Sequence, residues 1–233
     1  DLDQLEYSEE EGLKIGALTT LRTIEHSPLV KQVNPAVAVA AKSIASTQIR
    51  AKGTMVGNIC NASPSCDSGP IVLASDARIL YHGQDGDREM KAGEFFKGVK
   101  KTALEPGDIV TAIVFPPLKK NQKAAYIKHS VRKAMDLAIV GVAVVITVED
   151  GICTDARIAV GAVAATPIRT PKSETFLIGK KLTDEVIEEA AQLTMESCSP
   201  ISDIRASKEY RSAMVKVFTK RAIKKALEEM QEA

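Results

Sequence analysis

Residues 48–70 read Gln48-Ile49-Arg50-Ala51-Lys52-Gly53-Thr54-Met55-Val56-Gly57-Asn58-Ile59-Cys60-Asn61-Ala62-Ser63-Pro64-Ser65-Cys66-Asp67-Ser68-Gly69-Pro70. Between Gly53 and Asp67 the chain packs in Thr54, Gly57, Asn58, Asn61, Ser63 and Ser65, which leaves no bulky apolar face. Glycine lets a backbone approach a ligand closely. Free N–H groups in such a turn form a concave site suited to a phosphate. Asp67 would repel a phosphate and suits sugar or ribityl hydroxyls instead. The stretch therefore suggests a nucleotide-type cofactor. The plainer reading is a Gly/Ser/Asn loop joining two elements.

The rest of the composition narrows the field. The 233 residues suffice for two small domains. A net charge of +1 favours neither nucleic acid nor an anionic membrane, and five Phe, four Tyr and no Trp make a base-stacking platform a poor fit. Cys60, Cys66, Cys153 and Cys198 form no CxxC pair, so no metal or iron–sulfur site is expected, and reduced thiols fit a cytoplasmic protein. The longest apolar run, 137–148, is too short to span a bilayer. His26, His82 and His129 are scattered, no Gly-x-Ser-x-Gly occurs, and no side chain is expected to be catalytic.

Alternation and turn residues predict the elements. Residues 13–18 read as a strand, 20–26 as a short helix, and 35–46 as a helix opened by Pro35. Residues 48–70 are expected to be a loop. A short buried helix or turn from 71 precedes a strand and a hairpin turn at 82–87. Residues 92–97 form a helical turn and 109–115 a strand. Pro116 to Lys123 is polar and Pro-rich, and the boundary between domains 1–118 and 119–233 is placed there. Strands follow at 125–129, 139–148 and 155–163, with a Glu-Asp-Gly turn at 149–151. Thr183 caps a helix over 184–198. A last helix, about 208–231, carries the stripe Tyr210, Met214, Val217, Phe218, Ala222 and Leu227, expected to be core.

The 48–70 stretch resembles the flavin-binding signature of the medium subunits of molybdenum hydroxylases, a family that includes carbon monoxide dehydrogenase and the FAD domain of xanthine dehydrogenase. Gln48, Ile49, Arg50, Gly53, Thr54, Gly57, Asn58, Ala62, Ser63, Pro64, Asp67 and Pro70 match its pattern in register. Residues 15–20, 105–113 and the Lys128, Arg132, Asp136, Ala138 run agree as well. The resemblance implies an α+β fold: an FAD-binding domain of the PCMH/vanillyl-alcohol oxidase type, then a small α/β domain with an antiparallel sheet and helices. It also implies FAD as cofactor. Thr54, Gly57, Asn58 and Asn61 would hold the diphosphate, Asp67 the ribityl or ribose hydroxyls, and Val110 the adenine or flavin edge by its backbone. Lys128 would sit near the isoalloxazine carbonyl end, and Leu137 against the ring.

Two departures stand out. Val56 replaces a family glycine, so restoring glycine there is expected to be harmless. Residues 1–14 match nothing of the family's first β–α–β piece, so a truncated N-terminus is expected. The implied function is an electron-transfer subunit that takes electrons from a small [2Fe–2S] subunit, while a large molybdopterin subunit handles the substrate. The alternatives are a stand-alone flavin oxidoreductase and an assembly module that has lost FAD. The substrate and the final acceptor stay open.

Overall fold

The computed structural model describes residues 2–132 and 135–231. The first half alternates short strands and helices: β1 (Leu5–Ser8), β2 (Gly12–Gly16), α1 (Leu21–His26), α2 (Pro28–Val33), α3 (Pro35–Ser43), α4 (Thr47–Arg50), α5 (Met55–Cys60), α6 (Ser68–Ala74), β3 (Arg78–Gly83), β4 (Gly86–Lys91), α7 (Ala92–Phe95), β5 (Phe96–Gly98), β6 (Lys101–Thr102) and β7 (Ile109–Phe115). Five strands form an antiparallel sheet in the order β1-β2-β7-β3-β4. Cross-strand register puts Leu13 opposite Phe115 and Ile15 opposite Ile113, with Ile79 beyond Ile113. All five side chains are buried in the core beside the helices. The opposite face carries ion pairs such as Arg78–Glu89 and Lys14–Glu6, the usual split for an antiparallel sheet with one wet face.

The second half builds a separate sheet. Strands β8 (Gln122–His129), β9 (Val140–Glu149), β10 (Ile152–Gly161) and β11 (Ile168–Arg169) pair antiparallel in the order β11-β10-β9-β8. Helices α8 (Pro171–Leu177), α9 (Asp184–Glu196) and α10 (Lys208–Gln231) follow. Asp150 and Gly151 both take positive φ, as the tight β9–β10 hairpin requires. β9 is apolar without alternation because both of its faces are covered. Val142, Val144 and Ile146 point into a core with α10. Ala143 and Val145 point into the core shared with α3 and α6.

That second contact joins the halves tightly. A Cβ at Gly161 would lie 2.9 Å from Pro70 Cγ, and one at Gly69 would lie 2.4 Å from Pro167 Cγ. Only glycine admits α6 this close to the sheet.

The structure differs from the sequence expectations in several places. Of residues 82–87, expected to be a turn, 82–83 and 86–87 are paired in β3 and β4, and 96–97, expected to be helical, open β5. Residues 48–70 hold α4, α5 and the start of α6 rather than one loop. β8 starts at Gln122, inside the polar segment, because Gln122 is buried and donates to Thr147 Oγ1 at 2.9 Å. The buried stripe of α10 is Arg211, Val215, Phe218, Thr219, Ala222, Ile223 and Ala226, one position off the expected one at its start, with Tyr210 44% exposed.

Candidate functional site

The expected run of free amides does not form. Thr54 is the N-cap of α5, and its Oγ1 accepts from Gly57 N at 2.9 Å. Asn58 N donates to Thr54 O, and Asn61 N to Gly57 O. Threonine is a favoured N-cap residue, and here its capping outweighs the preference of Gly57 for turns. What remains outward is side-chain chemistry. The Thr54 hydroxyl still has a proton to donate, since only its lone pair is taken. Asn58 Oδ1 accepts from Ser68 N and from the Cys66 thiol, both at 3.1 Å, which leaves its Nδ2 as donor. Asn61 is exposed. Gly57 is exposed too, and a Cβ there would crowd Thr54 Oγ1 at 3.1 Å. Val56 is helical and 5% exposed, part of the hydrophobic core, so its side chain serves packing. Arg50, the charged residue of the motif, is architectural: it pairs with Glu25 at 2.8 Å and donates to Ile44 O at 2.9 Å.

Asp67 and Lys128 are brought together. Lys128 Nζ lies 2.8 Å from Asp67 Oδ2 and also donates to Ser43 O at 2.9 Å and Asp136 O at 2.8 Å. Both side chains are more than nine-tenths buried. Burial pushes the Asp67 carboxyl up to about 6, against the opposing pull of the Lys128 charge. Burial, then the Asp67 charge, also pushes the Tyr126 hydroxyl well above its ordinary value. Asp67 Oδ1 is buried with no hydrogen-bond partner among the described residues. Val110, on β7 opposite Tyr81, is buried in the core, and its side chain is not part of this cluster.

Beside the 63–66 turn lies a cavity of about 400 Å³ whose walls include Pro64, Ser65, Val99, Leu137, Ala138 and Arg211. Leu137 is 45% exposed there. Arg211 was missed in the sequence. It is 4% exposed and ties Ile139 O, at 2.9 Å, to Asp203 Oδ1, also at 2.9 Å. No helix among the described residues is long and apolar enough to cross a membrane. No cluster of His, Cys, Asp and Glu among them could hold a metal ion.

This donor set suits a flavin dinucleotide. The orphaned Asp67 oxygen calls for a hydroxyl donor, which a ribityl or ribose chain supplies. Thr54, Asn58 and Asn61 offer neutral donors for a diphosphate, and the apolar cavity suits an aromatic ring. Fold and site together define an FAD-binding flavoprotein with an α+β cofactor domain and an antiparallel C-terminal domain.

Comparison with known proteins narrows this class. Residues 1–118 match the family described as FAD binding domain in molybdopterin dehydrogenase, and residues 125–226 match the CO dehydrogenase flavoprotein C-terminal domain. The chain is 33% identical to the putative xanthine dehydrogenase FAD-binding subunit of Escherichia coli K12 over 97% of its own length and 78% of that protein's. It is 34% identical to the carbon monoxide dehydrogenase medium chain of Hydrogenophaga pseudoflava, over 97% and 79%. A solved carbon monoxide dehydrogenase from that organism, lacking the Mo-pyranopterin moiety, superposes with a TM-score of 0.93 at 32% identity, over 97% and 78%. The chain belongs to the FAD-binding subunits of the molybdopterin dehydrogenase family. It is a flavoprotein oxidoreductase subunit whose cofactor is FAD.

Proposed function

We propose that this chain is the electron-transfer subunit of a molybdenum hydroxylase complex. It receives electrons from the iron–sulfur clusters of a small [2Fe–2S] subunit and passes them to an external acceptor, while a large molybdopterin subunit transforms the substrate. The observation that supports this most is the likeness, over nearly the whole chain, to medium chains and FAD-binding subunits of such dehydrogenases. The four cysteines are all free, which suits work in the cytoplasm. The working boundary is 1–118 for the FAD-binding domain and 119–233 for the C-terminal domain.

The cofactor supplies a two-electron store. The chain's residues hold and tune it. The Thr54 hydroxyl and the Asn58 and Asn61 amides take the diphosphate, with Gly57 leaving clearance and Val56 and Val110 contributing backbone. Asp67 accepts from sugar or ribityl hydroxyls. Lys128 is fixed in place by three acceptors, and its cation favours negative charge on the reduced ring.

The test is FAD retention. The purified protein should be yellow, and Asp67→Ala should weaken FAD binding by about 1–3 kcal/mol, the cost of losing a buried polar partner. Equal affinity in the variant would remove Asp67 from the site. A colourless protein, with its complex assembled, would favour an assembly role.

A further inference from the structure

The tip of the β5–β6 ribbon, Lys97-Gly98-Val99-Lys100-Lys101, carries three lysines to which the cofactor site gives no role. Lys97, Lys100 and Lys101 are exposed, and none has an ion-pair partner among the described residues. The tip is anchored. Lys100 N donates to Ala62 O at 2.9 Å, with both residues at positive φ, and Ala103 N donates to Phe95 O at 2.8 Å across the ribbon's base. These bonds hold the backbone of the tip, and with it the stems of the three lysines, beside the cavity, where Val99, 55% exposed, is one wall. Ile201, another wall, is 71% exposed. The one carboxylate lining the cavity among the described residues, Asp203, is matched by Arg205 and Arg211. The rim is thus positive around an apolar centre.

We propose that this rim is a docking face for an acidic protein, an electron carrier whose carboxylates surround a small apolar patch. The proposal rests on the cavity being the flavin site. A small anion is the poorer occupant, because these lysines stand in solvent and offer no desolvated, convergent donors. A protein needs none: unpaired surface charge steers its approach over a distance set by ionic strength. An apolar centre within a charged surround is the layout of a transient protein interface. In each cycle two one-electron carriers would each take one electron, the anionic two-electron-reduced flavin would return to its oxidised form, and one proton would pass to solvent.

The probe is an acidic [2Fe–2S] ferredoxin, labelled and titrated into the protein with flavin bound and again after flavin is stripped. Binding should be strong at low salt and weaken at about 0.15 M ionic strength. A variant carrying Lys97→Ala, Lys100→Ala and Lys101→Ala should bind about tenfold more weakly at low salt and lose most of the salt dependence. Its melting temperature and flavin absorbance should not change. The proposal is overturned if wild type shows no salt-sensitive binding, or if the triple variant binds as wild type does. It is also overturned if the triple variant no longer co-purifies with its own iron–sulfur subunit, which would place the lysines in the assembly interface. A colourless protein would count against the flavin reading alone, since the flavin-stripped titration still reports on the rim.

Discussion

The β9–β10 hairpin and the α5–α6 turn meet where Pro70 presses on Gly161, yet opposite forces hold them. The hairpin is held by apolar side chains buried on both faces, and its backbone is satisfied by its own ladder. The α5–α6 turn is held by single polar contacts: one cap at Thr54, one amide at Asn58 and one buried ion pair at Asp67. Apolar burial is spread over many contacts and tolerates small losses. Polar contacts in a buried seam are all-or-nothing, because an abandoned partner cannot reach water. The scaffold is robust and the polar turn is conditional.

The sharpest way to break this contrast is Lys128→Ala. It removes the cation that opposes burial at Asp67 and leaves the Ser43 and Asp136 carbonyls without their donor, and chemical denaturation at pH 7 should show a loss of about 3 kcal/mol. A buried carboxyl whose pKa is raised stabilises the fold when protonated and loses that contribution as the pH rises through the raised value. The deficit should therefore shrink as the pH falls toward 6 and below. A deficit independent of pH would mean that lost packing, not charge, sets the cost.

Ile158→Ala attacks the hairpin side, in the core with α10, and should cost about 3 kcal/mol. Urea melts in which this substitution costs more than Lys128→Ala would reverse the ranking. Val56→Gly should cost about 2 kcal/mol through a lost buried side chain and a glycine inside a helix. That replaces the tolerance expected from the sequence, and a melting temperature unchanged by the substitution would restore it. Thr54→Ala, which removes one cap, should cost about 1 kcal/mol, with Thr54→Ser close to wild type. If serine fails to rescue, the Thr54 methyl rather than its hydroxyl matters.

Much of the scaffold was legible in the sequence. The strand at 109–115 and the helix at 208–231 fall where period and turn residues put them. The Thr183 cap and the Asp150-Gly151 turn do as well. Local chemistry sets such features, so they can be read locally. The α10 stripe slipped because Arg211 looks like a surface residue, and only the fold reveals the carbonyls that satisfy it. Over 54–61 the sequence predicts an open turn, because Gly57 and Asn58 are turn formers in isolation. The Thr54 cap decides otherwise. The motif picked out Asp67 and Lys128 separately. Their pairing spans 61 residues of chain and depends on α6 lying flat on the second sheet, which no local pattern encodes.

The alanine and glycine side of the second sheet has a practical consequence. Ala124, Ala143 and Ala159 are too small to form a core by themselves and are covered only because α3 and α6 lie over them. Severing the polypeptide near residue 118 would leave that face bare on one fragment and the undersides of two helices bare on the other. Mixed together, the fragments should reunite as a non-covalent pair. Made apart, each should precipitate.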